Sequence, residues 1–177
     1  MAANVLRFAL FGKEFQAGKT VSIHRLIDSL KARGAEIYIE RTFFQYITSA
    51  LGMEVEVSGV FENYNFDVDF VISIGGDGTF LRAASMVGSK ATPIIGVNTG
   101  RLGFLADIHP DEIDHAIAEI VDGHYAVEPH AVIMVEADGE IIEGSPFALN
   151  DIAVLKRDNA AMISVRTCIN GEYLVTY

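Results

Sequence analysis

The sequence predicts an α/β protein in which a Rossmann-like parallel sheet with helices is followed by an incomplete antiparallel β domain. Apolar, strand-like runs alternate with helix-like segments up to about residue 100, whereas short strand patterns separated by turn signals follow residue 125. Strands that alternate with helices favour a parallel sheet covered on both faces. We therefore expect an α/β domain at residues 1–100 and the start of a β-rich domain at residues 101–177.

The first half contains four strand-like runs and three helical patterns. LRFALF, FVISI and PIIGV read as buried strands, and EIYIE alternates as a strand does. A helix that ends near Gly34 has its apolar residues at helical spacing: Ile23, Leu26, Ile27 and Leu30. TFFQYITSALG predicts a second helix that stops at Gly52, and a third is expected to start at Thr79.

The second half changes from helical to strand periodicity. One more helix is expected after Pro110, with Gly123 at its end and one apolar face: Ile113, Ile117 and Ile120. The strand patterns that follow are AVIMVEA, EII, FALNDIAVL, MISVRTCI and EYLVTY. Asp138-Gly139 and Asn170-Gly171 predict type I′ hairpins, because both turn positions need positive φ. The pattern stops at a new strand, so we expect the chain to be part of a longer protein.

Composition and charge limit the classes of partner. The chain has 177 residues, half of them apolar, and a mean hydropathy of +0.30, which suggests apolar surface buried between subunits. The net charge of −11 argues against general binding to nucleic acid. A few cations can still form a local phosphate site. No apolar run reaches the roughly 20 residues of a membrane span, and no signal peptide is recognised, so we expect a cytoplasmic protein without a membrane partner.

Cysteine and histidine give no sign of a metal or redox site. Cys168 lies in the strand-like stretch VRTCIN and is expected to be a buried, inert thiol. Zinc-ligand spacing is missing from the five histidines: His24, His109, His115, His124 and His130. We assign no protein metal site.

Two glycine-containing segments follow strands and deserve comparison. GKEFQAGKT has five residues between Gly12 and Gly18, where the P-loop pattern has four, so we interpret it as a loop with a solvated Lys19. GGDGT is the stronger candidate for a phosphate-binding turn. Gly76 and Gly78 permit close approach of a ligand to the backbone, and Thr79 is expected to cap the following helix.

Asp77 stands at the centre of GGDGT, where a carboxylate would repel a phosphate. One interpretation is that Asp77 only shapes a tight turn. The other is that it orients an alcohol and accepts its proton during phosphoryl transfer. Asp77 is expected to be ionised at neutral pH, and nearby phosphates are expected to raise its pKa. We favour the second interpretation, because the carboxylate conflicts with a site that only binds phosphate.

Three segments resemble NAD kinases in sequence and order: GGDGTFLRAA, GVNTGRLGFLAD and LNDIAVLKRD. The resemblance extends over the whole chain and is more specific than GGDGT, which diacylglycerol and sphingosine kinases share. It implies phosphorylation of the 2′-hydroxyl on the adenosine ribose of NAD, giving NADP, with ATP or, in some members, polyphosphate as donor. The family continues into an Asp-Gly motif and a TGSTA-like segment, so we expect these 177 residues alone to have little activity.

The resemblance also implies roles for residues on the acceptor side. Asp77 would be the base on the ribose hydroxyl, and Gly78 and Leu81 would lie against the dinucleotide. Phe104 would line the adenine pocket with Leu105 beside it, as an aromatic face suits a flat purine. The alternative for Phe104 is a plain core residue.

Four further residues are candidates for ligand contacts. Asn150 and Asp151 would correspond to the family's pair that binds the nicotinamide-side ribose hydroxyls; their position inside the apolar run FALNDIAVL favours a site over a simple bulge. Arg82 and Arg101 follow glycine turns and could bind donor phosphates, or form surface ion pairs. Magnesium would arrive with ATP, and family members form homodimers or homotetramers.

Two other functions fit parts of the sequence. A lipid or sphingoid kinase would use the same GGDGT chemistry, although the basic amphipathic helix or polybasic patch expected for a membrane substrate is not visible. A non-catalytic nucleotide-sensing module would bind without turnover. Assay of NADP formation distinguishes these alternatives from an NAD kinase.

Overall fold

The computed structural model describes residues 5–13, 20–100, 103–141, 146–155 and 162–177. Its first half contains a five-stranded parallel sheet with strand order β3-β2-β1-β4-β5. The strands are β1 (Arg7–Gly12), β2 (Glu36–Glu40), β3 (Gly59–Phe61), β4 (Phe70–Gly75) and β5 (Ile94–Asn98). The helices are α1 (Thr20–Ala32), α2 (Arg41–Gln45), α3 (Asp77–Val87) and α4 (Ile113–Val121). The predicted α/β fold is confirmed.

The central strands are buried because both faces of the sheet are covered. Along β1, Phe8 and Leu10 belong to one apolar cluster, whereas Ala9 and Phe11 belong to another. This alternation follows from the two-residue period of a strand. The first cluster includes the predicted apolar faces of α1 and α4, and the second includes Ala83 and Val87 of α3.

Short turns join these elements. A π-helical turn (Tyr46–Ala50) continues α2, and 3₁₀ turns follow α3 (Gly88–Lys90) and precede α4 (Pro110–Glu112). The predicted helix ends at Gly34, Gly52 and Gly123 are confirmed, since each glycine has a positive φ of 64–79°.

The second half contains three two-stranded antiparallel ladders among the described residues: β6–β9, β7–β8 and β10–β11. Their strands are β6 (Ile133–Met134), β7 (Glu136–Ala137), β8 (Glu140–Ile141), β9 (Phe147–Ala148), β10 (Arg166–Ile169) and β11 (Glu172–Thr176). Both type I′ hairpin predictions are confirmed, with φ of 52° and 82° at Asp138-Gly139 and 52° and 85° at Asn170-Gly171.

Two predictions for this half are wrong. Cys168 is exposed rather than buried, because β10 pairs with β11 and the described residues place no covering layer over the thiol. FALNDIAVL does not form one long strand, since β9 covers only Phe147–Ala148. The domain boundary near residue 100 remains a prediction. Among the described helices, none is both long and apolar enough to cross a membrane.

A loop at residues 103–108 lies beside β5, with Ile108 paired in parallel with Val97, and places its residues beside the glycine turn. Asn98 N–H donates to the Ile108 carbonyl at 2.8 Å, and Ile108 N–H donates to the Gly96 carbonyl at 3.0 Å. A Cβ on Gly96 would lie 2.6 Å from the Cα of Ala106. The loop therefore approaches β5 so closely only because residue 96 has no side chain.

We expect Gly96→Ala to lower the free energy of unfolding by about 1–3 kcal/mol, because the new methyl group overpacks against the loop backbone. Denaturation by urea measures the change. Gly78→Ala is the matched control: it has open space around the position and lies inside α3, where alanine is the better helix former. A Gly96→Ala protein as stable as the Gly78→Ala protein would contradict the close packing.

Candidate active site

The glycine turn lies at the carboxyl edge of the sheet, between β4 and α3. Gly75 ends β4, Gly76 is extended with φ of −120°, and α3 begins at Asp77. β4 lies beside β1, and the chain builds the sheet outward on both sides of this pair. Ligands of such sheets bind at this kind of switch point, beyond the carboxyl ends of the strands.

Thr79 does not cap the helix, contrary to the sequence-based prediction. The helix begins two residues earlier, so Thr79 lies in its first turn and is 7% exposed. Its hydroxyl packs over Gly75, where a Cβ would lie only 2.3 Å from Oγ1. Thr79 therefore fixes the turn by packing, and the capping position is taken by Gly76, which offers no side chain.

The Asp77 carboxylate binds the backbone of the 103–108 loop. Phe104 N–H donates to Oδ2 at 2.9 Å, and Leu105 N–H donates to Oδ1 at 3.1 Å. Gly103 lies directly against the carboxylate, since a Cβ there would come within 2.2 Å of Oδ1. The Asp77 side chain is half-buried. The carboxylate therefore remains accessible to a ligand although the loop amides bind it.

These contacts lower the pKa of Asp77. The Phe104 amide has the largest effect, followed by the Leu105 amide; partial desolvation opposes them, and the Ala106 amide adds to the lowering. The sequence suggested that incoming phosphates would raise this pKa, whereas the chain's own amides lower it. A carboxylate has about four lone-pair positions, so two amide bonds leave room for a ligand hydroxyl.

The residues predicted to contact the acceptor differ in exposure. Phe104 is 98% exposed, which excludes the alternative of a core phenylalanine. Gly78 is exposed, whereas Leu81 and Leu105 are half-buried. The exposed ring belongs to the residue whose N–H binds Asp77, so it is accessible to a ligand at this edge.

Arg82 forms an ion pair in the structure. Its Nη2 lies 2.8 Å from Oε2 of Glu40, whose side chain is 13% exposed. The same Glu40 oxygen accepts the Phe43 N–H at 3.1 Å and so caps α2. Arg101 lies outside the described residues.

Asn150 and Asp151 do not lie inside a strand, and that prediction is wrong. Both are exposed and follow β9, and Asn150 Nδ2 donates to Oδ1 of Asp151 at 2.9 Å. Phe147 of β9 approaches Gly88, at the opposite end of α3 from Asp77. The described hydrogen bonds of the pair join the two residues to each other and not to the Asp77 loop.

Sequence reasoning missed three residues around this edge. Gly103 was inside a recognised motif but had no assigned role, and its contact with Asp77 depends on a fold that brings distant segments together. Lys13 follows β1 directly, and its position at the carboxyl end of a central strand was the available signal. Glu40 ends β2 and was considered only as part of a strand pattern.

The described residues contain no group of three or more His, Cys, Asp or Glu side chains able to hold a metal ion.

The fold defines a doubly wound α/β protein with a glycine turn and an accessible carboxylate at its ligand-binding edge. A family model described as the ATP-NAD kinase N-terminal domain matches residues 11–125. The chain therefore belongs to the NAD kinase family.

Curated relatives and solved structures agree with this assignment. The chain is 49% identical to an NAD kinase of Bacteroides fragilis and 38% identical to one of Porphyromonas gingivalis. Each alignment covers 97% of this chain and 59% of the relative. It thus spans little more than half their length.

Two solved structures resemble the fold over 97% of this chain. An Archaeoglobus fulgidus NAD kinase in complex with ATP matches with a TM-score of 0.64 and 26% identity, over 57% of its own chain. Yeast NADH kinase complexed with NADH matches with a TM-score of 0.72 and 18% identity, over 55% of its own chain. The relatives favour an NAD kinase over the lipid kinase alternative.

The Asp77 contacts predict a pH-dependent contribution to stability. The pKa is lower in the folded chain than the ordinary value of 3.8, so the contribution is complete above that value and is lost as pH falls through the folded pKa. Asp77→Asn should therefore lower the thermal unfolding midpoint at pH 7. The difference from the natural chain should shrink at acidic pH, as measured by circular dichroism.

Gly103→Ala tests the same contact from the other side, because its methyl group forces the carboxylate away from the amides. For both variants, the difference in thermal unfolding midpoint from the natural chain should become smaller as the pH falls into the acid range. A difference that stays constant from pH 7 into the acid range would contradict the contact.

Proposed function

We propose that the full-length protein transfers the terminal phosphoryl group of ATP to the 2′-hydroxyl of the adenosine ribose of NAD, giving NADP and ADP. Family membership and the curated NAD kinase relatives support this reaction. The observation that carries it is the Asp77 carboxylate, half-buried at the first residue of α3 and held by two loop amides.

In the proposed reaction, the ribose oxygen attacks the terminal phosphorus of ATP. The new O–P bond forms as the bond to the bridging oxygen breaks, and the leaving electron pair goes with ADP. Asp77 orients the hydroxyl and accepts its proton, which then passes to solvent. Because phosphoryl transfer depends mainly on positioning, a fixed carboxylate serves it well.

The loop that holds Asp77 also carries the proposed adenine contact. Phe104 would stack on the purine, with Leu105 beside it, and Gly78 and Leu81 would lie against the dinucleotide. Since the Phe104 N–H binds Asp77, the aromatic residue and the base belong to one connected unit. Asn150 and Asp151 would bind the nicotinamide-side ribose, which requires a different arrangement of the segment after β9 when NAD is bound.

Magnesium would enter with the donor, bound to ATP phosphates. We further propose a cytoplasmic homodimer or homotetramer without nucleic acid or membrane partners. Polyphosphate is a second possible donor. These points follow from the family resemblance and from the charge of the chain.

Asp77→Asn in the full-length protein should reduce NADP formation by about 10²–10⁴-fold, since it removes the proton acceptor. Turnover is measured with NAD, ATP and magnesium. Asp28→Asn is the matched control, because Asp28 is an exposed carboxylate on α1. Binding of NAD without turnover by the natural protein would support a sensing module instead, and equal activity of the Asp77 and control variants would refute the assigned base.

Phe104→Ala should raise the KM for NAD by roughly 5- to 100-fold through loss of base stacking. The thermal midpoint should not change, because the ring is 98% exposed and contributes little to the core. Phe104→Tyr should keep the stacking face and most of the affinity. A fall in stability together with an unchanged KM would identify Phe104 as a structural residue.

A further inference from the structure

A second feature of the carboxyl edge is a groove on the other side of α3 from the Asp77 loop. Its volume is about 220 Å³, and it is lined by Gly12, Lys13, Thr42, Phe43 and Arg82. Lys13 and Thr42 are exposed, whereas Phe43 is 1% exposed. The groove therefore has an apolar floor and a polar rim.

The floor is closed by one tight contact. A Cβ on Gly12 would lie 2.3 Å from the Phe43 ring, so glycine lets the ring cover the end of β1. Phe43 belongs to the core cluster under α1. The floor is part of the folded core and is present before any ligand binds.

The rim carries two cations in a chain with a net charge of −11. Glu40 holds Arg82 at the rim, because the Glu40 carboxylate contacts Nη2 of the Arg82 guanidinium. A guanidinium has five N–H donors in a planar fork, so this contact leaves donors for an anion. Lys13 supplies a second positive charge, which Glu40 does not contact in the structure.

The groove is also placed beside the glycine turn. β1 and β4 pair in parallel with Gly12 opposite Ile74, so Lys13 leaves the sheet next to Gly75. Asp77 and Arg82 are five residues apart on α3 and hence point roughly 140° apart around its axis. Asp77 turns towards the loop beside β5, whereas Arg82 turns towards the end of β2.

We propose that this groove binds the phosphate chain of the donor, with Lys13 and Arg82 as its ligands. This inference rests on the proposed function and assigns the two sides of α3 to different substrates. The acceptor ribose lies on the Asp77 side and the donor phosphates on the Lys13 side. The first-turn amides of α3 lie between them. Thr79 N–H donates to the Gly76 carbonyl, whereas the N–H groups of Asp77 and Gly78 can face the phosphoryl group in transfer.

The test uses the full-length protein with Lys13→Gln and Arg82→Gln. Each variant should raise the KM for ATP about 10- to 100-fold, because a charge-assisted contact to phosphate is lost. The KM for NAD should stay within about twofold, since NAD binds on the other side of α3. Inorganic tripolyphosphate should compete with ATP in the natural protein and about tenfold more weakly in both variants.

Arg25→Gln is the matched control. Arg25 has nearly the same side-chain exposure as Arg82, 38% against 36%, and also forms an ion pair, with Asp111. It lies on α1 away from the groove and should leave both KM values unchanged. Lys13 is exposed, so we expect the Lys13→Gln protein to remain folded. Its KM for ATP therefore tests the donor groove even if the Arg82 variant is less stable.

The outcomes separate this inference from the proposed function. A natural protein that makes no NADP would overturn the function itself. A natural protein that makes NADP, with variants whose KM for ATP and competition by tripolyphosphate are unchanged, would overturn only the donor groove. An equal rise in the KM for NAD and for ATP would also overturn it, because the groove would not distinguish the two substrates.

Discussion

The carboxylate of Asp77, shared between the start of α3 and the amides of residues 104 and 105, holds the candidate site together. The contact joins segments 27 positions apart in sequence and fixes the loop that leaves β5. Without it, the loop would keep its backbone pairing with β5 and the packing of Ala106 but would lose its hydrogen bonds to α3. The same bonds determine where the carboxylate points and hold its pKa low, so geometry and acidity have one cause.

This arrangement depends on close backbone contacts that only glycine permits. Gly75 accommodates Thr79, Gly96 accommodates the Ala106 backbone, and Gly103 accommodates the carboxylate itself. None of these three has a positive φ. Their role is therefore space rather than backbone conformation, in contrast to the turn glycines at the helix ends.

Much of the fold could be predicted because its signals are local. The apolar runs of β1 and β4 and the face of α1 follow the periods of strand and helix, and the hairpin turns follow from the need for positive φ. Strand β3 has only three residues, too few for a period to be visible. The exposure of Cys168 was mispredicted because burial of a strand depends on what covers it, which local sequence does not specify.

The site was predictable to a smaller extent. GGDGT identified Asp77, and the exposed ring of Phe104 is compatible with its expected role. The contact between Asp77 and the loop was not predictable, because a single sequence gives no information on which distant amides a carboxylate will meet. The roles of Lys13 and Glu40 were not predicted for the same reason: each depends on a contact with a strand or helix that is distant in the sequence.

The low pKa of Asp77 is compatible with its proposed role as a base. A weaker base accepts a proton less readily, which would be a serious loss if proton removal had to precede attack. In a loose phosphoryl-transfer transition state the attacking oxygen acquires little charge early, so precise orientation contributes more than basicity. The amides that weaken the base also fix its direction. A carboxylate that remains ionised beside the phosphates of its substrates can only accept a hydrogen bond and never donates one. It therefore favours one orientation of the ribose hydroxyl throughout the physiological pH range.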